Sequence, residues 1–172
     1  PTRRSSDLSA ALMINNESFM SDLNWVNMLK LKFSFGQQGN DAIGNYYAWM
    51  DQYQVTGADG VFSDGTLTYK GNPDLTWETS TTYNIGADFN LFNSLLSGSI
   101  EYFGRKSKDM LYYKPVAGSL GYNQIPMNIG SMTNSGLEID LASSVINTQK
   151  IKVSVNANAT MTKNKINELH PD

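Results

Sequence analysis

Five stretches of the chain alternate apolar and polar residues with a period of two, the mark of a strand with one apolar and one polar face. From Met28 to Gly36, Leu29, Leu31, Phe33 and Phe35 alternate with Lys30, Lys32 and Ser34. From Thr79 to Leu91, Tyr83, Ile85, Ala87, Phe89 and Leu91 share one face, and Asn84, Gly86, Asp88 and Asn90 take the other. From Leu96 to Arg105, Leu96, Gly98, Ile100 and Tyr102 alternate with Ser97, Ser99, Glu101 and Phe103. From Gly136 to Val145, Leu137, Ile139 and Leu141 stand against Glu138 and Asp140. From Lys150 to Thr162, Ile151, Val153, Val155, Ala157 and Ala159 stand against Lys152, Ser154, Asn156, Asn158 and Thr160. No comparable stretch keeps helical periodicity, and only Asn16 to Leu23 is polar and cappable enough for a helical turn. The expected fold is all-β and antiparallel.

The connections sharpen that expectation. Asn93-Ser94 joins the second and third strands, and Asn147-Thr148-Gln149 joins the fourth and fifth; both are hairpin lengths with turn-forming residues. About forty residues separate strands one and two, and about thirty separate strands three and four, far above the usual connection. Since antiparallel neighbours alternate direction, both short turns fall at one edge of the sheet and both long loops at the other. Transmembrane β-barrels have this asymmetry. The strand from Thr79 to Leu91 covers about 43 Å at about 3.3 Å per residue, more than the roughly 9–11 residues that cross a bilayer. Trp25, Trp77, Phe92, Tyr112 and Tyr113 gather towards strand ends, where interfacial aromatic girdles sit. A soluble sheet with one face on a core explains the alternation equally well.

Composition removes other classes. The 172 residues carry 13 Lys+Arg and 16 Asp+Glu, a formal charge of -3, so the basic face of a nucleic-acid binder is missing. With no cysteine and a single histidine, His170, thiolate chemistry, histidine triads and multi-histidine metal sites fall away. No cofactor or metal site is expected. Charged residues make up 17% of the chain, below the roughly 25% usual for soluble domains, while aromatics reach 11%. No apolar run reaches the about 20 residues of a membrane-spanning helix. Residues 1–8, Pro1 to Leu8, fit nothing that follows and read as a remnant of a sequencing adapter. Residues 9–172 are then one piece of a longer protein, and both ends of the chain read as breaks.

Particular residues carry a family resemblance. Leu29 to Asp41, with its Leu-Lys-Leu-Lys strand running through Phe35-Gly36 into Gly39-Asn40, resembles a signature of the SusC/RagA-type TonB-dependent outer-membrane transporters. Gly71-Asn72-Pro73-Asp74-Leu75-Thr76-Trp77-Glu78 and Asn84-Ile85-Gly86-Ala87-Asp88 continue the match. So do Ser99 to Phe103 with Lys106 to Leu111, Asn128 to Gly130 with Asn134 to Ile139, and the Asn-rich stretch from Asn158 to Leu169. The blocks stand in family order from about Phe19 onward. Ala11 to Ile14 departs from the pattern, where the family usually has a Trp-Arg pair. The resemblance implies about five strands from the later part of a barrel of about 22, a size class whose lumen holds a plug. The apolar faces would then meet lipid. Asn84, Asp88, Asn90, Glu101, Asp140, Asn156 and Asn158 would face the hydrated interior, which spares the cost of charge in hydrocarbon. It also implies an importer of glycans or peptides in the bacterial outer membrane, capped by a SusD-type surface lipoprotein and driven by TonB through regions absent here.

No active site is legible. Glu138 and Asp140 lie about 7 Å apart on one strand face, a spacing glycosidases also use, but period-two patterning alone places them so. Asp59 to Gly65 lacks the alternate oxygens and late bidentate Glu of a calcium loop and reads as two loop turns. The loop from Asn40 to Thr68 is the best candidate for ligand contact. There Tyr46, Tyr47, Trp49 and Tyr53 offer aromatic faces on which sugar rings stack, and Asp51 a hydroxyl partner. Tyr112, Tyr113, Tyr122, Asn123 and Gln124 offer similar chemistry in the second long loop. Such aromatics also serve simply to pack loops together. The chain is read as a non-enzymatic wall-and-loop fragment that cannot fold alone as a soluble monomer, because five strands leave two open edges and an apolar face. Two rivals remain at this point: a soluble β-sandwich binding or adhesion module, and a β-rich glycosidase using Glu138 and Asp140.

Overall fold

A computed structural model describes residues 5–58, 61–148 and 150–169. Its main feature is a six-stranded antiparallel sheet in the order β1 (Ser5–Met13), β2 (Val26–Asn40), β5 (Glu78–Leu91), β6 (Leu96–Lys108), β9 (Ser131–Asn147), β10 (Lys152–Glu168). Two hairpins fill the long connections: β3 (Gln52–Ala58) with β4 (Val61–Tyr69), and β7 (Leu111–Pro115) with β8 (Gln124–Asn128). Among the described residues no helix is long and apolar enough to cross a membrane, a statement that leaves crossing by strands open.

The five expected strands are all present and longer than the alternation suggested, and the sheet has a sixth. Ser5–Met13 pairs along its whole length with β2, from Ser5 opposite Gln38 to Met13 opposite Lys30. The pairing includes Ser5 to Leu8 of the leading run, because a sheet edge offers backbone groups that accept almost any sequence. Two short 3-10 turns, Ile14–Asn16 and Ser18–Met20, stand where a helical turn was expected. The long loops are also more regular than expected. Asp59 lies outside the described residues, but Val61 to Gly65, read as loop turns, belong to strand β4.

Register makes rows of like residues across the sheet. One row joins Leu12, Leu31, Ala87, Ile100, Ile139 and Ala159, and the next joins Ala10, Phe33, Ile85, Tyr102, Leu137 and Met161. On the other face, Lys30, Asp88, Ser99, Asp140 and Asn158 form one row. Lys32, Gly86, Glu101, Glu138 and Thr160 form the next. Lys32 Nζ lies 2.9 Å from Asp88 Oδ1 and 3.1 Å from Glu101 Oε2. It reaches Glu101 by passing over Gly86, where an added Cβ would sit 3.0 Å from Lys32 Cε and 2.8 Å from the Ile100 carbonyl. The missing side chain is what lets one cation separate two carboxylates.

The apolar rows cover nothing. Ile85 is 57% exposed and Met161 67%, and every residue of both edge strands, β1 and β10, is exposed. Total accessible surface is 12427 Å², against about 8,400 Å² for a compact monomer of this mass. The excess is what a detached panel of wall would show.

The two edges of the panel differ as the connection lengths required. At one edge, β5 turns into β6 through Phe92, Asn93 and Ser94, all left-handed at φ 56, 57 and 67°. That backbone matches the strand twist but strains residues other than glycine. Contacts from the start of β2 hold it. The Phe92 N–H donates to the Trp25 carbonyl at 2.7 Å, the Asn93 N–H to Asn27 Oδ1 at 2.7 Å, and the Trp25 and Phe92 rings stack at 5.4 Å. At the other edge lie residues 41–77 and 109–130 with their hairpins.

Candidate functional site

Two asparagines build the loop end. Asn72 follows Gly71, where a Cβ would collide with the Met50 backbone, so only glycine lets residues 70–72 lie flat against 48–50. From there the Asn72 N–H donates to the Ala48 carbonyl at 3.0 Å, and its side-chain amide to the Pro126 carbonyl of β8 at 2.9 Å. Its Oδ1 accepts the Asp74 N–H at 3.0 Å, an Asx turn that launches the chain towards β5. Asn128, at the end of β8, answers from the second loop. Its amide donates to the carbonyls of Thr76 (2.8 Å) and Asp109 (2.7 Å), and its Oδ1 accepts the Thr76 N–H at 2.8 Å. The Tyr113 hydroxyl adds a third tie, donating to the Ile43 carbonyl at 2.9 Å. The two long connections are thus one body, and its interior holds Ala48 (3% exposed) and the fully buried Pro126.

Residues 45–50 form successive turns, opened by Asn45 Oδ1 accepting the Tyr47 N–H at 2.9 Å. This winding turns Ala48 inward and leaves Tyr46, Tyr47 and Trp49 exposed. Tyr46 and Trp49 share a hollow of about 260 Å³ with Asp41, Asn45, Thr76 and Trp77. Tyr47 does not line it.

Tyr122, Asn123 and Gln124 border a second, larger hollow. It measures about 580 Å³ and is lined by Thr68, Tyr69, Lys70, Tyr122, Asn123 and Gln124 among others. Lys70 Nζ lies 2.8 Å from Asp51 Oδ2, while Asp51 Oδ1 accepts the Gly71 N–H at 2.9 Å. The ammonium, and then the Gly71 N–H, hold the Asp51 carboxyl below its ordinary range. Asp51 in turn raises Lys70, with smaller contributions from Tyr122 and Tyr53. Beneath them the Tyr69 ring meets Tyr113 edge-on at 6.3 Å, and burial pushes the Tyr69 hydroxyl well above the usual tyrosine range. Its oxygen is enclosed and faces the Tyr113 hydroxyl and Asn45.

The sequence-derived set therefore divides. Tyr46 and Trp49 border one hollow; Tyr122, Asn123 and Gln124 border the other; Asp51 and Tyr53 attend Lys70; Tyr47 and Tyr112 are exposed and line neither hollow. Tyr113 is a packing residue between the loops. Sequence reasoning missed Lys70, Asn72, Asn128 and Trp77 as site residues. The signal available was the dense Gly-Asn-Pro-Asp and Asn-Ile-Gly turn chemistry, which marks backbone ties as well as turns.

A long antiparallel panel with bare apolar rows, two open edges, short turns at one end and a built loop platform at the other defines a segment of β-barrel wall. A family model described as "TonB dependent receptor-like, beta-barrel" matches residues 15–169. The chain belongs to the TonB-dependent receptor β-barrel family, and its relatives place it with the SusC/RagA type. It is 30% identical over 169 residues to the TonB-dependent receptor SusC of Bacteroides thetaiotaomicron, covering 94% of this chain and 17% of that protein. A TonB-dependent receptor of Formosa agariphila is 31% identical over 159 residues, covering 91% and 15%. The fold superposes on the RagAB peptide transporter with a TM-score of 0.80 at 29% identity, covering 96% of this chain and 18% of that one. The chain thus spans under a fifth of the length of these relatives.

Proposed function

We propose that this chain is barrel wall and outer loop of an energy-coupled importer in the bacterial outer membrane. The observation that carries the reading is the panel itself, with apolar rows that no core covers on one face and Lys32, Asp88, Glu101 and Asp140 on the other. In a bilayer the apolar rows meet lipid and the charged rows face a hydrated lumen, the only arrangement that avoids burying those charges in hydrocarbon. The short turns then face the periplasm and the platform faces outward. Membership of the SusC/RagA group supports a SusD-type lipoprotein over that platform and coupling to TonB through parts of the protein outside this chain.

The ligand class in this reading is an oligosaccharide or a peptide, held in part by the platform. Tyr46, Tyr47, Trp49, Asp51, Tyr53, Tyr122 and Asn123 are the proposed contacts. The test is ligand affinity and uptake in the full-length transporter with Trp49 and Tyr47 replaced by Ala. Loss of affinity supports platform binding, and unchanged affinity sinks it. Residues 1–8 are proposed to be adapter-derived; recovery of that run from the native gene would overturn the assignment.

A further inference from the structure

We propose that the larger hollow is a carboxylate subsite, with Lys70 as its cation and Tyr122, Asn123 and Gln124 as its hydrogen-bonding walls. The inference rests on the platform being a ligand-binding surface and adds the ligand group it selects.

Charge is the first argument. The chain is acidic overall, yet the lining of this hollow includes one ammonium and no carboxylate. The smaller hollow differs, with an Asp, two Trp and a Tyr and no cation. A neutral ring fits the aromatic hollow, whereas an anion fits the one that holds Lys70.

The geometry of the ion pair is the second. Asp51 is Lys70's partner, but it does not line the hollow. Both of its oxygens are engaged, Oδ2 by the ammonium and Oδ1 by the Gly71 N–H. Asp51 therefore anchors the cation from outside the cavity, while Lys70, whose ammonium has three donor positions, is one of the residues that line it. This arrangement costs a ligand less than ordering a free lysine, because the side chain is already held. The side-chain amides of Asn123 and Gln124 supply neutral donors, and a carboxylate takes several at once. Lys70 is protonated across the physiological range, as any lysine of ordinary pKa is, so the subsite stays cationic.

Two ligand sources share this chemistry: a uronic-acid oligosaccharide and a peptide with a free carboxylate. The experiment uses full-length transporter in detergent and isothermal titration with paired probes. One pair is a galacturonate pentamer and its methyl ester; the other is an acidic pentapeptide with its C-terminal and side-chain carboxyls free or amidated. The expected result is at least tenfold tighter binding of the free acid in one pair, which identifies the source. Lys70→Gln reduces that preference to within twofold, Lys70→Arg retains most of it, and 0.5 M salt weakens it. Equal affinity of acid and neutral partner in both pairs, or an acid preference unchanged in Lys70→Gln, overturns the proposal. Absence of binding in both pairs also overturns it. The importer reading stands apart, since it is judged by uptake and by Trp49 and Tyr47.

Discussion

The wall and the platform are built on opposite principles. The wall has strands of up to 17 residues, yet no core covers its apolar rows. The platform has hairpins built of strands of only five to nine residues but encloses Ala48, Pro126 and the Tyr69 hydroxyl. The wall's inner strands satisfy their backbone within the sheet, while its apolar side chains stay largely open. The platform's loops are tied to each other within the chain, by asparagine amides spent on backbone carbonyls. The contrast teaches that hydrogen-bonded order and a hydrophobic core are separable, and this chain puts them in different places.

Changing the medium-facing rows tests the contrast most severely. Ile100→Arg in the full-length barrel is expected to destabilise it by about 2–4 kcal/mol if the residue sits near the midplane. Heat-modifiable mobility and urea unfolding in lipid measure this. Ser99→Arg, one residue away and in register with Asp88 and Asp140, is expected to cost under about 1 kcal/mol. Equal penalties would remove the distinction between the two faces.

A smaller effect, confined to the platform, follows from Asn128→Ala. It removes the bonds to the Thr76 N–H and to the carbonyls of Thr76 and Asp109, which are exposed and can turn to water, so the cost is about 0.5–1.5 kcal/mol. Proteolysis between residues 109 and 130 is expected to accelerate, with barrel unfolding nearly unchanged. Acceleration of both together would show that wall and platform are one cooperative unit.

The smallest effect is on pH. The Asp51 carboxyl is lowered, so its contribution is present above the ordinary carboxylate value of 3.8 and lost as pH falls through the lower folded value. Lys70 is raised, so its contribution is present below 10.5 and lost as pH rises through the higher folded value. Protection of the 50–71 segment from protease is therefore expected to hold flat between these limits and weaken outside them. Asp51→Asn should abolish the acid limb.

The wall was the legible part of the sequence. Period-two alternation in Leu29 to Phe35 or Tyr83 to Leu91 reports face by face which environment each side chain meets, and loop lengths order the two edges. β1 escaped because its alternation, Leu8, Ala10 and Leu12 against Asp7, Ser9 and Ala11, is short and blurred by alanines, and Ser5 to Leu8 lie in the run read as adapter-derived. The platform escaped more fully. Asn72 and Asn128 act over separations of 54 and 52 residues, and local composition marks them only as turn residues. Lys70 was invisible for the same reason, since its neighbours Tyr53 and Tyr122 reach it only after both hairpins fold back. Aromatic loop residues were found by type, but type alone does not divide Trp49 from Tyr113.

The central claim is that this panel has no core of its own and takes its stability from lipid and adjoining strands. Expressing residues 9–172 in detergent-free buffer and following size exclusion with urea unfolding tests it most directly. The account predicts aggregation, or a species that becomes ordered only on adding lipid or detergent. A monodisperse soluble monomer with one cooperative unfolding transition would contradict it.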